Sequence, residues 1–189
     1  MNNRLFPIAI KINAKTISQD LISRNLKDIK IPSFPSNKDN AVMPVENVPK
    51  QIFAPAPLRV INGEVGILSI SGVISLTNTE RAKAGIAGLR ESTILDRAAN
   101  NKAGDILAKQ YFDHVSPSGI GPGELAKNAG YDYILIGENL ALGNFKDDQT
   151  LMTAWMASPE HRANILRSQY SEIGVALIKG IYEGISTWV

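Results

Sequence analysis

The chain has 189 residues, a formal net charge of +2 and no cysteine. This composition excludes a disulfide framework, a thiolate metal site and a cysteine nucleophile, and so small a net charge does not indicate a nucleic-acid-binding protein. The charge is divided unevenly, because residues 1–60 carry nine Lys and Arg against four Asp and Glu, a net of +5, whereas residues 61–189 carry eleven against fourteen, a net of −3.

The first 60 residues contain seven of the ten prolines. Proline at this density interrupts helices and removes backbone donors, and few apolar residues remain to build a core. We therefore predict that residues 1–60 are a largely irregular, Pro-rich linker or stalk. For residues 15–29 two alternatives stay open, a short amphipathic helix and a helix that forms only transiently. Residues 61–71 are expected to connect this segment to a folded domain.

Neither an export signal nor a membrane-spanning helix is visible in the sequence. No apolar run reaches the roughly 18–20 residues that cross a bilayer. The start, MNNRLFPIAIKINAK, lacks the apolar core and the small-residue cleavage site of a signal peptide. Two alternatives follow: the protein is cytoplasmic, or this chain begins downstream of the true export signal.

Regular patterning begins near residue 61. VGILSISGVISL (residues 65–76) alternates loosely, and a helix capped by Thr77 or Asn78 is predicted to follow it. Further helices are predicted over residues 92–112 and 122–129, after Asp147 or Asp148, and after Ser158. Extended segments are predicted at YILIGENLALG, EIGVALI and ISTWV. Early helices and late strands without βαβ alternation favour an α+β sandwich with an antiparallel sheet.

The only two histidines lie in short polar segments. His161 follows Ser158, Pro159 and Glu160, which together are typical of a helix start. A ring in the first turn of a helix is expected to stay neutral and able to bind a metal or accept a proton. His114 begins a loop, HVSPSG, and Glu138 lies within the apolar run ILIGENLAL, where a carboxylate requires a partner or has a function. Each of the three residues also has an ordinary structural explanation.

Four motifs in this order resemble the CAP superfamily of cysteine-rich secretory, antigen 5 and pathogenesis-related proteins. They are NTERAKAG (78–85), HVSPSG (114–119), GENLA (137–141), and AWMASPEHRANIL (154–166) with YSEIGVAL (170–177). The sequence is similar to the bacterial, cysteine-free, SCP-like branch, and the resemblance covers residues 72–189. It implies a three-layer α-β-α sandwich with a central antiparallel sheet. It also implies that the last strand is cut short at Val189 and that the chain is a fragment of a longer protein.

The resemblance further implies a groove with two facing histidines, His114 and His161, as metal ligands. Glu138 matches one acidic partner of the pair. The strict position of the second acidic residue falls on Ser158, and Glu160 is close enough to substitute for it. Supporting roles fall to Ser158, to Asn139 of the GEN motif, and to Arg162, which we expect to pair with a carboxylate.

Two imidazoles and a carboxylate can hold a divalent cation such as zinc. The resemblance therefore favours a metal-binding module that is secreted or attached to the cell envelope. Its ligand would be a lipid, a peptide or a glycan and not a nucleic acid, and membrane attachment would use regions outside this chain. One alternative is a peptide or ester hydrolase with Glu138 and Glu160 as catalytic carboxylates, and another is a structural adhesion domain. We favour a non-enzymatic role, because the sequence has neither a G-x-S-x-G nor an H-E-x-x-H motif.

Overall fold

Nine consecutive buried residues form the central strand of the computed structural model, which describes residues 9–14, 50–60 and 63–189. All of the described residues belong to one compact unit. In chain order the elements are β1 (Ala9–Ala14), β2 (Gln51–Phe53), β3 (Leu58–Val60), α1 (Ile70–Lys83), β4 (Arg90–Glu91), α2 (Thr93–Lys109), α3 (Pro122–Asn128), β5 (Leu135–Gly143), α4 (Asp148–Ala157), α5 (Pro159–Ile165), β6 (Glu172–Gly174), β7 (Lys179–Tyr182) and β8 (Ile185–Trp188).

The sheet is built around β5 and is mixed in direction. Its strand order is β4-β6-β1-β5-β8-β7, and β2 and β3 each also pair with β5. The pairs β1–β5, β1–β6, β5–β8 and β7–β8 are antiparallel, whereas β2 and β3 run parallel to β5, and β4 runs parallel to β6. The predicted antiparallel sheet is confirmed at the centre, and short parallel strands are added to it.

Alternate residues of β5 enter two different hydrophobic cores. Leu135 and Ala141 belong to a cluster with side chains of α1, α4 and α5, whose largest member is the fully buried Trp155. Leu140 and Leu142 belong to a second cluster with side chains of α2. Because successive side chains of a strand point to opposite faces, β5 is covered by helices on both sides. The three-layer α-β-α sandwich is therefore confirmed.

Helix α1 begins earlier than the sequence pattern predicts. Its N-cap is Ser69, whose hydroxyl accepts a hydrogen bond from the Gly72 amide. Asp148, at the start of α4, accepts bonds from both the amide and the hydroxyl of Ser69. Asn78 is not a cap; its side chain bonds the amide and carbonyl of Leu89. The prediction at residues 65–78 was wrong, because a cap completed by a distant carboxylate leaves no local signal.

A buried arginine joins α1 to the chain that follows α5. The guanidinium of Arg81 is wholly buried and donates to main-chain carbonyls at 2.8–3.2 Å. The four acceptors are the carbonyls of Ala87, Ile165, Arg167 and Tyr170. A guanidinium carries its donors in a fixed planar fork, so one side chain sets the path of two separate loops.

Parts of the predicted stalk lie within the sheet. Residues 9–14 form β1, and residues 51–53 and 58–60 form β2 and β3, so these stretches of residues 1–60 are extended and paired. The rest of that segment, including the helix predicted over residues 15–29, lies outside the described residues, and there the linker assignment stays a prediction. In the described part of the chain, no helix is both long and apolar enough to cross a membrane.

Replacing Arg81 with methionine should lower the free energy of unfolding by at least about 3 kcal/mol, because buried carbonyls would lose their donors. Chemical denaturation measured by circular dichroism checks this. The matched control is Arg97→Met on α2, where the native side chain is exposed and the change should stay within about 0.5 kcal/mol. Equal effects of the two substitutions would contradict the role assigned to Arg81.

Candidate functional site

His114 lies in the loop after α2, and two contacts fix its main chain. Its amide donates to Asp113 Oδ1 at 2.5 Å, and its carbonyl accepts from Lys102 Nζ at 2.7 Å. Lys102 is wholly buried on α2. Burial lowers the pKa of Lys102, and the carboxylate of Glu138 opposes that shift. A buried ammonium therefore holds the histidine loop against the helix and places a positive charge near Glu138.

The ring of His114 lies between two oxygen acceptors. Nδ1 is 2.8 Å from Glu138 Oε1, and Nε2 is 2.5 Å from the carbonyl oxygen of Pro55. A neutral imidazole has one N–H, so it can satisfy only one of these contacts as a donor. Both contacts are satisfied when the ring carries two protons beside a carboxylate, or when a neutral ring accepts from a protonated Glu138. Either way, the pair holds two protons and no net charge.

Pro55, whose carbonyl covers His114, belongs to residues 51–60, here called the strap. Phe53 pairs with Gly137, and Leu58 pairs with Ala141. Four strap residues, 54–57, therefore face only three residues of β5, 138–140, and the strap bulges there. Its two prolines have no N–H for the ladder. The bulge therefore costs few hydrogen bonds and turns the Pro55 carbonyl toward the histidine.

His161 is buried in the first turn of α5, and its two ring nitrogens differ. Nδ1 is 2.8 Å from the Ser158 hydroxyl, whereas Nε2 is buried with no well-formed hydrogen bond among the described residues. Burial lowers the pKa of His161, and the charge of His114 acts in the same direction. The main chain of Leu140 and the carboxylate of Glu160 oppose the shift. The expected neutral ring is supported, with burial as the largest cause.

Hydrogen bonds between buried amides tie α5 to β5. Asn139 donates to the carbonyl of His161 at 3.3 Å and accepts from Asn164 at 2.8 Å, and the Tyr170 hydroxyl donates to Asn164 at 2.8 Å. Gly137 makes room for this network, because a methyl group there would overlap the Tyr170 hydroxyl and the Asn164 amide oxygen. The glycine and asparagine of the GEN motif thus position the main chain of His161.

Ser158 and Glu160 lie in different places. Ser158 is the residue in contact with His161, and its hydroxyl bonds the ring and does not cap the helix. Glu160 is exposed and lines a cleft of about 340 Å³ between α5 and the strap residues 52–55. The expected partner of Arg162 is not seen, because Arg162 is exposed and pairs with no described carboxylate.

The donor atoms at this site fit a metal ion only in part. His161 has an unpartnered Nε2, and Glu138 has a buried, unpartnered Oε2, which suits a cation or a hydrogen-bonding ligand. Nε2 of His114 is taken by Pro55. Among the described residues no group of three His, Asp or Glu side chains is arranged to hold a metal. Both histidines could bind a cation through Nε2 only when the Pro55 carbonyl moves away from His114.

Sequence reasoning missed two residues of this site. Lys102 carries no motif that distinguishes it in the sequence, and only the fold shows that its side chain bonds the His114 loop. Pro55 was assigned to the stalk, and its proline-rich surroundings gave no sign of pairing with β5. The roles predicted for His114 and His161 as metal ligands, and for Glu138 as their acidic partner, stay predictions.

Comparisons with known proteins agree with this architecture. The family model described as CAP, the cysteine-rich secretory protein family, matches residues 74–184. The chain is 40% identical over 116 residues to the uncharacterized protein YkwD of Bacillus subtilis (strain 168), covering 61% of this chain and 43% of YkwD. It is 29% identical over 110 residues to the uncharacterized membrane protein YlbC of the same organism, covering 58% and 32%.

A solved structure shares the fold. It is the crystal structure of an extracellular protein containing an SCP domain from Bacillus anthracis str. Ames, with a TM-score of 0.51 and 24% identity, covering 62% of this chain and 38% of that one. At this identity the likeness concerns the fold alone. The chain spans less than half the length of each of these three proteins.

Gly137→Ala should lower the free energy of unfolding by about 1–3 kcal/mol, because the added methyl group must displace packed side chains. It should also move α5 relative to β5. Denaturation and the NMR signals of His161 check both effects. Gly104→Ala on α2 is the control, since its nearest neighbour would be 4.0 Å away and stability should be unchanged or about 0.5–1 kcal/mol higher.

Stability should fall as the pH is lowered through about 6.5, the ordinary pKa of histidine, in part because of His161. Its pKa is lower in the folded state, so the unfolded state binds the proton more readily. Acidification therefore lowers the free energy of the unfolded state relative to the folded state. The loss of stability between about pH 7.5 and about pH 5 should be smaller in His161→Gln than in the wild type. Urea unfolding in the presence of a chelator measures it, and equal losses would contradict the assignment.

Proposed function

Because the chain belongs to the cysteine-rich secretory protein (CAP) family, we propose that it is a binding module that works outside the cell or attached to its envelope. Its ligand contacts His114, Glu138 and His161 in the groove beside β5. The location is supported by the solved relative, described as an extracellular protein, and by the relative described as a membrane protein.

The observation that carries this proposal is a pair of buried polar atoms without partners. Oε2 of Glu138 and Nε2 of His161 are both shielded from solvent, and neither has a well-formed hydrogen bond in the described part of the chain. Buried groups of this kind are uncommon and costly when they serve only the fold. Both residues flank the same short stretch of β5, because Glu138 is in that strand and the main chain of Leu140 acts on the His161 ring.

A divalent cation such as zinc is the ligand that these donors suit in part. His114 and His161 would hold it through their Nε2 atoms, and Glu138 would stay on Nδ1 of His114 as the carboxylate that orients the ring. A bound cation would act there as a Lewis acid toward a carbonyl or a water molecule. Because the Pro55 carbonyl occupies Nε2 of His114, cation binding requires that the strap move.

A hydrolase is the second candidate, and the free Oε2 of Glu138 favours it. A carboxylate oxygen in a buried, partly apolar groove can act as a general base toward water. Glu160 does not support a mechanism with two carboxylates, because it lies exposed on the cleft wall. We therefore place binding ahead of hydrolysis, with Glu138 as the residue whose replacement by glutamine would abolish any turnover.

Isothermal titration with zinc of the chain without a histidine tag should give measurable heat. His114→Gln and His161→Gln should each weaken binding by at least the roughly 10–100-fold that loss of an outer-shell partner already causes. The double variant is the matched control, because the chain has only two histidines and this variant has none. Absence of heat in the wild type removes the cation from the proposal, and equal heat in the double variant places the cation elsewhere.

A further inference from the structure

The strap lies along β5 and over His114 as a bound peptide would. We propose that the groove is an acceptor for an extended peptide, that residues 51–60 are its resident occupant, and that a peptide of the same chemistry replaces them. This names the ligand class of the groove and rests on the proposed function in taking the groove as a binding site.

The strap lies outside the part of the chain that defines the family. The family match begins at residue 74, whereas the strap ends at residue 60. The strap approaches β5 by adding strands parallel to it at residues 135–137 and 141–143. Addition of an extended segment to a sheet is a common mode of peptide recognition, with affinity from the main chain and specificity from alternate side chains.

Phe53 and Leu58 anchor the strap on either side of Pro55, and beyond them Val60 packs on the core and Arg59 pairs with Glu183. The ring of Phe53 stacks on the guanidinium of Arg167, with the central carbon of that group 3.4 Å from the ring centroid. Leu58 packs against the core cluster that contains Trp155. Between these anchors, Ala54 and Ala56 are exposed, so they contribute little to the fit. The groove therefore selects an aromatic and an aliphatic residue five positions apart on an extended chain.

The centre of the strap supplies a carbonyl and not a side chain. Pro55 is buried, and its main-chain oxygen meets Nε2 of His114 at 2.5 Å. Proline has no N–H, so a peptide with proline here loses no ladder donor where the strap bulges away from β5. A main-chain carbonyl at this position is common to every peptide, and proline is the residue that brings it there at least cost.

One end of the groove is shaped for close main-chain approach. Gly143 has φ +145, and a methyl group there would overlap the carbonyl of Val60. Substitution would therefore push the end of the strap away from β5. At the other end, the cleft of about 340 Å³ separates strap residues 52–55 from α5. The strap is thus seated on β5 and leaves open space on the α5 side, where an incoming chain can begin to exchange with it.

Covalent attachment gives the strap an advantage over a free peptide. A tethered segment has an effective concentration that reaches the millimolar range, so a peptide in solution should bind the wild-type chain weakly. Weakening the two anchors should release the strap and expose the acceptor without altering β5. The double variant Phe53→Ala/Leu58→Ala does this, and Ala56→Ser is the matched control within the strap.

The experiment uses a fluorescein-labelled peptide of residues 51–60, QIFAPAPLRV, with the full chain and a chelator present. Fluorescence anisotropy should show at least ten-fold tighter binding to the double variant than to the wild type or to Ala56→Ser. The peptide of reversed order, VRLPAPAFIQ, should bind the double variant at least ten-fold more weakly. Adding His114→Gln to the double variant should also weaken binding, because the carbonyl loses its ring donor.

Hydrogen exchange provides a second readout that separates release of the strap from unfolding. Amides of residues 135–143 should exchange faster in the double variant than in the wild type, and the forward peptide should restore their protection. If a folded double variant binds both peptides equally, or neither, or no better than the wild type, the proposal is overturned. If the double variant is unfolded, Phe53→Ala alone replaces it under the same criteria. If the peptide does not bind as described but zinc binds through the histidines, this inference is overturned and the proposed function stands. If the peptide binds as described and zinc does not, only the cation is removed from the proposal.

Discussion

The hydrogen bond between Nδ1 of His114 and Oε1 of Glu138 is the contact on which the groove depends. A carboxylate inside a strand that is buried on both faces is costly unless a positive or donating partner meets it, and His114 is that partner. The bond also fixes the other ring nitrogen, since Nε2 then has to find an acceptor or lose its proton. The Pro55 carbonyl is the acceptor present. The strap, the histidine and the buried carboxylate therefore stabilise one another, and removal of any one leaves a buried polar group unpaired.

Small residues and side-chain amides form the side of the groove next to α5. Gly137 and Asn139 alternate with Glu138 along β5, and they face the layer that contains α5. Through Asn164 and the main chain of His161 they hold α5 against the strand, while Arg81 bonds the carbonyls of the chain just beyond it. The ring of His161 is consequently placed by its own main chain and by Ser158, and its Nε2 has no well-formed hydrogen bond among the described residues.

Much of the domain could be predicted from the sequence, because its motifs encode local chemistry. His114, Glu138 and His161 were identified by residue type and order, and the family, the sandwich and the central strand were confirmed. What failed depended on distant partners. The start of α1 needs Asp148, which is 79 residues from Ser69. Pro55 is 59 residues from His114, and a proline-rich pattern predicts an irregular chain unless the edge that receives it is known. The sequence around Lys102 would be the same whether its side chain faced solvent or the His114 loop, so the sequence alone could not place it.

The strap bonds Nε2 of His114, and the peptide and the cation proposed above would require the same atom. Their binding is therefore linked, and each reduces the apparent affinity of the others by the fraction of molecules in which that nitrogen is taken. A tightly seated strap makes a groove with weak apparent affinity for any ligand, even when the intrinsic contacts are good. Because the strap lies outside residues 74–184, its sequence can change without altering the residues that form the groove. On the proposal that the strap is the resident occupant of the groove, the affinity of this CAP domain for a ligand would be set in large part by a segment outside the family match.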